Sequence, residues 1–301
     1  MANQLFTPQA AARSSIAALR YLSVLPRTVN QNYSTEFVAG RGQTVNIPKP
    51  VELTTKDARV YTKANRTARD AIIFDEVSQG FVPIKMEDQV YKAVREPDDF
   101  ATFTLTSLER QVIAPMAESV AVGVTTPLLT IMNSVAAATV GEGGPITIAA
   151  NGSDALKAII KARQVLNKRS VPFMGRTLAV SPEIEAALLD LPQLQKVNES
   201  GTDGVLREAT IGRLFGFDLI VDPGLTSNYA VAYDRDAFAL VTRPSAPPRG
   251  AAFTASVSQD GFALRWLQHY NPLQLEDQIV IDTFVGAGVL DAQRAVSITM
   301  T

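Results

Sequence analysis

Between residues 106 and 133 apolar side chains recur at helical spacing. Leu108, Val112, Met116 and Val120 step by four, with Ile113, Ala117 and Val124 beside them. That stripe predicts one long core helix over 106–133, opened by Thr106 with Glu109 three residues on, a capping box. Glu109, Arg110 and Glu118 mark its opposite face. Pro115 falls inside the pattern, where a residue without an N–H is expected to bend the helix. At 1.5 Å per residue the helix would run about 40 Å. So long and one-sided an element needs a broad sheet or a long partner to cover it.

The segments before this helix are less apolar. Residues 1–39 read as an arm. Thr7 and Pro8 start a short helix with Ala12, Ile16 and Leu19 on one side, and polar, glycine-punctuated text follows Pro26. Such a segment has little core of its own and is either mobile or docked on something else. Val45 and Ile47 alternate with polar residues up to Pro48, and apolar alternation resumes at 71–74. Residues 40–80 therefore read as a long hairpin with a polar tip, hinged where Gly40 and Gly42 flank Arg41. Phe81, Val82 and Ile84 suggest a further strand, and 100–105 alternates into the long helix.

After a small-residue linker at 136–144 the pattern becomes α/β. Strands are expected at 146–148, 176–180, 217–221, 229–233 and 239–242. Helices are expected from Ser153 or Asp154 through Leu166, and over 182–191, with a helical turn near 205–209. Residues 253–258 and 262–270 form a hairpin about Asp260-Gly261, and strands at 278–284 and 295–299 follow.

Composition narrows the function. The chain is 46% hydrophobic and 19% charged, with no apolar run of the roughly 18 residues a membrane span needs. Its first residues lack the basic start and apolar block of a signal peptide. Cysteine is absent, which removes disulfides and thiolate metal sites. A net charge of −2 sets up no global attraction for nucleic acid. Locally the charge is uneven. Lys56, Arg59, Lys63, Arg66 and Arg69 stand against Asp57 alone, whereas Asp75, Glu76, Glu87, Asp88, Glu96, Asp98 and Asp99 outnumber Lys85, Lys92 and Arg95. His269 is the single histidine, and no phosphate loop, dinucleotide fingerprint or serine-nucleophile motif occurs. No catalytic, metal or cofactor site is expected.

The order of parts resembles a known family. The matching text is GQTVNIPKP at 42–50, FTLTSLERQVIAPMAESVA at 103–121, and 155–189 with its Val165-Leu166-Asn167, Val171-Pro172, Gly175-Arg176 and Val180-Ser181-Pro182. Residues 212–225, 233–244 and 261–298 continue the series. Together these resemble the tailed-bacteriophage major capsid proteins of the Hong Kong ninety-seven-like capsid fold, in the branch with a separate scaffolding protein. The resemblance implies an α+β subunit with five parts: an N-terminal arm (1–39), an extended β-hairpin loop (40–80), a peripheral domain with a long spine helix (81–139), an axial α/β domain (140–265) and a C-terminal return (266–301). The arm and extended loop would lie over neighbours.

The resemblance also implies a function. Pentamers and hexamers of the chain would form the icosahedral head of a tailed phage around double-stranded DNA, bound without sequence preference. Partners would be the scaffolding protein, portal and head-completion proteins and a decoration protein, with no membrane. Assembly would take place in the host bacterial cytoplasm. The basic hairpin tip would meet the acidic stretch of the next subunit, Pro115 would act with Gly40 and Gly42 as a hinge, and Arg13 and Arg20 would face DNA. Two other readings stay open: an encapsulin-like nanocompartment shell, and a soluble α/β enzyme.

Overall fold

The computed structural model describes residues 8–22, 24–35, 44–49, 52–53, 59–74, 77–78, 80–99, 112–191, 212–248, 250, 253–259 and 261–301. Along the chain come α1 (Pro8–Leu22), β1 (Thr44–Pro48), β2 (Glu52–Leu53), α2 (Lys63–Ala68), β3 (Val77–Ser78), β4 (Phe81–Lys85), β5 (Asp88–Pro97) and α3 (Ala114–Met132). Next are β6 (Ile146–Ile148), α4 (Ala155–Lys168), β7 (Arg176–Val180), α5 (Pro182–Leu189), β8 (Arg213–Leu214), β9 (Phe217–Val221) and β10 (Tyr229–Asp234). The last are β11 (Phe238–Arg243), β12 (Phe253–Gln259), β13 (Phe262–Asn271), β14 (Glu276–Val289) and β15 (Ala295–Met300).

Fourteen-residue β14 organises one sheet. Antiparallel β13 lies along one side of it, with β12 beyond. β11 follows β13 end to end on that same side, pairing with Phe284–Val289, and β5 takes the other side, pairing with Glu276–Val285. Strand side chains alternate between faces, and β14 uses both. Ile279, Ile281, Val285 and Ala287 face the main core, while Phe284 faces a smaller cluster with Val45, Ile47, Ile84 and Met86. The second sheet runs β6-β15-β10-β7-β9-β8. It packs a separate core against α4 and α5 through Ile159, Val165, Leu166, Ile184 and Leu188.

The long helix buries the residues its stripe marked: Val112, Ile113, Met116, Ala117, Val120 and Val124 are all buried, with Leu128 and Met132 beyond them. It packs on β14, β5 and α1. By length and composition Ala114–Met132 is apolar enough to cross a membrane, contrary to the expectation that no stretch here would be. Its apolar face is instead taken up by the core. Two prolines fall along this helix. Pro115 sits in the first turn of α3, directly after a π turn at 112–113. Pro127, farther along the same helix, is a second position without a backbone N–H. The capping box at Thr106 lies outside the described residues.

α1 and the turns after it pack on their own subunit's body. Ala11, Ala12, Ile16, Leu19, Leu25 and Val29 lie in the subunit's own main core. Backbone bonds from Asn30 N–H to the Phe238 carbonyl (3.1 Å) and from Leu240 N–H to the Asn30 carbonyl (3.0 Å) join this segment to β11. The Asn30 side chain donates to Asp236 (2.8 Å), and Thr28 shares a hydrogen bond with the buried Tyr233 hydroxyl. Alanine and isoleucine at helical spacing in α1 supply an apolar face that finds cover at home.

Two further expectations change. Residues 71–74 form no strand, and β5, a ten-residue strand, occupies what read as acidic surface. β5 was hidden because seven of its residues are exposed, so only Val90, Val94 and Glu96 mark its covered side. The division drawn at 265/266 does not coincide with the sheets either. β11 and β12 belong with β14, and β15 returns to the sheet of β7 and β10.

Candidate assembly surfaces

The described residues between 44 and 85 include the paired strands of a hairpin. β1 pairs antiparallel with β4, and β2 with β3 farther out. Beyond β2 and β3 the described chain at 59–74 closes as α2 and two flanking stretches. Thr62 caps α2 by accepting from Asn65 N–H (3.3 Å), and Arg69 ends it in the left-handed region at φ 57°. Tyr61 donates its hydroxyl hydrogen to the Asp70 carbonyl (2.8 Å), and Arg59 donates to the Ile73 carbonyl (3.2 Å), which ties the two flanks together.

This tip is both basic and apolar. Lys63, Arg66 and Arg69 are exposed. So are Val60 (81%), Ile72 (66%), Ile73 (70%) and Phe74 (87%). Apolar alternation at 71–74 carried the signal, but it was read as a strand with a covered face. The structure covers none of it.

The acidic stretch is less uniform than its composition. Glu87 and Asp88 are exposed where β4 turns into β5, and Glu87 lies 3.6 Å from Lys85. Asp98 accepts from the Tyr270 hydroxyl (2.9 Å), and Asp99 is exposed. Glu96 is buried opposite Asp277, and burial, then the Asp277 charge, hold its carboxyl above the ordinary range. It is therefore unsuited to meet a cation from another subunit. Among the described residues no ion pair joins the tip bases to these acids. Lys56, Glu76, Gly40 and Gly42 lie outside the described residues. Arg13 is exposed on α1, while the Arg20 side chain lies outside the described set. His269 is exposed on β13, and no group of three or more potential metal ligands occurs among the described residues.

The body is two sheets, with the paired strands of the hairpin beside them. A family model described as phage capsid protein matches residues 54–296. The chain belongs to the phage capsid protein family. It is the major capsid protein, and the icosahedral head of the virion is built from it. Solved structures share its fold. One from Mycobacterium phage Che8 is 19% identical, with TM-score 0.67, covering 92% of this chain and 90% of its own. The capsid of cyanophage P-SCSP1u is 13% identical, with TM-score 0.59 over 86% and 84%. A virus-like particle from Pyrococcus furiosus is 11% identical, with TM-score 0.55 over 96% and 97%. No curated protein matches.

In this capsid protein the family-like text at 165–182 is one physical unit. Buried Arg176 donates to the Asn167 side chain (2.8 Å) and to the carbonyls of Val171 and Pro172 (both 2.7 Å), and its guanidinium lies 5.2 Å from the centre of the Phe173 ring. Gly175 turns into β7 at φ 79°. One arginine thus fastens the exit of α4 to the entry of β7.

A second clasp joins the linker after α3 to β15. Glu142 takes both Arg169 Nε (2.6 Å) and Nη2 (2.8 Å), while Arg169 Nη1 donates to the Ala295 carbonyl (2.8 Å). The Arg169 hydrogen bond, then the Thr139 backbone N–H, bring the Glu142 carboxyl from its ordinary 4.5 down to about 2. A carboxyl depressed by folding adds stability that is complete above its unfolded value and lost as pH falls through its folded one. Unfolding measured between pH 4.5 and 2 should therefore show a stability loss that Glu142→Gln flattens. Parallel pH profiles for the two proteins would remove the clasp's role.

Proposed function

We propose that this capsid protein closes the head as pentamers and hexamers, each hairpin tip lying on the neighbouring subunit, around non-specifically bound double-stranded DNA. The observation that carries the reading is the tip itself: four apolar side chains at 66–87% exposure beside three exposed bases, between the two sides of a hairpin. Left in water, such a patch promotes aggregation; repeated around a ring, each tip finds cover on the next copy until the ring closes. Glu87, Asp88 and Asp99 are the acids left to steer the approach of a basic tip.

The six-stranded sheet with α4 and α5 suits an axial domain, and the β14 sheet with α3 a peripheral one. The role is mechanical rather than catalytic. A separate scaffolding protein, a portal, head-completion proteins and a decoration protein complete the head, which assembles in the host cytoplasm. Kinship with phage capsids favours a genome over a protein cargo. Electron microscopy of the expressed chain, alone and with its scaffolding partner, tests the reading. Closed, uniform shells are expected. Only monomers or amorphous aggregate under both conditions would overturn it.

A further inference from the structure

From the packing of β4 on β14 we infer that Gly286 and Gly288 are positioning residues that set the angle at which the hairpin leaves the body. The two alternate on β14, so both face the cluster at the hairpin root, as Phe284 does. β4 crosses this face. A Cβ on Gly286 would lie 2.6 Å from the Lys85 carbonyl oxygen and 2.9 Å from Met86 Cγ. One on Gly288 would lie 2.8 Å from Ile84 Cγ1 and 3.0 Å from Cδ1. Neither glycine has the positive φ that would itself require the residue, so space and not conformation explains both. Ile84 and Met86 are buried, at 1% and 4% exposure, and so have no free room to give. The seat is a shallow saddle of bare backbone under the hairpin's root.

A second observation says which way the root yields. Beside β1 lies a cavity of about 310 Å³, lined by Asn32, Tyr33, Ile47, Pro48, Lys49 and Leu290. A β1–β4 ribbon lifted off the saddle has space to tilt without unfolding the body, whose main core is on the other face of β14. Non-bonded carbon atoms settle near 3.5–4.0 Å, so one methyl must open the contact by about 1 Å. The hairpin's length turns that into several ångström at the tip.

The test needs no assembly, so its failure is separable from failure of the shell reading. The chain has no cysteine, and spin labels on Ala64→Cys in α2 and Lys157→Cys in α4 report the tip-to-body distance alone. Gly286→Ala and Gly288→Ala should each shift or broaden that distance. Ile84→Ala should restore it in the Gly288→Ala background but not in the Gly286→Ala one, where the obstacle is backbone. Unchanged distances in both glycine variants would overturn the inference. If Gly288→Ala does not fold, Ile84→Ala alone, which deepens the saddle, must move the tip, and an unmoved tip overturns it equally.

Discussion

Ile73→Asp combined with Phe74→Asp abolishes closed shells and leaves a folded, soluble subunit. Both side chains are exposed in the subunit, at 70% and 87%, so the fold loses nothing by the change. Covering an apolar side chain of this size contributes about 1.5–3 kcal/mol. Removing two weakens each contact by about 3–6 kcal/mol, roughly 10²–10⁴-fold at 1.4 kcal/mol per tenfold. Since every subunit repeats the contact, the loss is felt all around the ring. Sedimentation and electron microscopy check the result, with thermal unfolding as the control for folding. Wild-type shell yield in the double variant would show that the apolar patch is not an assembly contact.

Charge reversal at the same tip should act more weakly. Exposed ion pairs contribute about 0–1 kcal/mol and are screened by salt. Arg59→Glu with Arg66→Glu should therefore slow assembly and shift its salt dependence, and Glu87→Lys with Asp88→Lys in the same chain should recover part of the rate. Composition alone suggested a contact led by charge. The proposed contact gives the apolar residues the larger share, because Glu96 is buried, Asp98 is bonded to Tyr270, and the apolar residues of the tip are exposed.

Asp282→Ala should cost about 3–5 kcal/mol of subunit stability, the usual loss when one partner of a buried ion pair is removed. Asp282 is 1% exposed in the middle of β14. Its carboxylate takes Arg265 Nε and Nη2 from β13 (2.8 and 2.9 Å), and also Ser245 Oγ and the Gln89 side-chain amide. One carboxylate thereby joins β13, β14, β5 and the proline-rich stretch after β11. Its removal leaves the Arg265 guanidinium, itself only 14% exposed, without a counter-ion. Against a total of about 5–15 kcal/mol, that is a large fraction. Urea unfolding measures it, and Asp282→Leu with Arg265→Met should cost clearly less. A loss under about 1 kcal/mol in Asp282→Ala, the level of an exposed pair, would show the pair to be solvated in effect.

Much of the fold was legible where one physical rule dominated. The stripe from Val112 to Val124 announced a helix with one covered face, and it is covered. The text from Asn167 to Arg176 was recognisable because a buried arginine needs particular acceptors at particular positions. Legibility failed where a residue's surroundings come from distant chain. Glu96 reads as surface charge until β14 is laid beside it. Ile73 and Phe74 read as a strand because alternation says that a face exists, not that anything covers it. Nothing local marks Gly286 and Gly288, since the strand that crosses them lies about 200 positions earlier.

The place of β15 between β6 and β10 has a consequence in time. Among the described residues β6 pairs only with β15, so residues 146–148 wait for that partner until 295–300 have left the ribosome. At ~5–20 residues per second that interval is about 8–30 s. The root of the hairpin waits as well, because its seat on Gly286 and Gly288 is made late. Translation order therefore sets the earliest moment at which either sheet is whole.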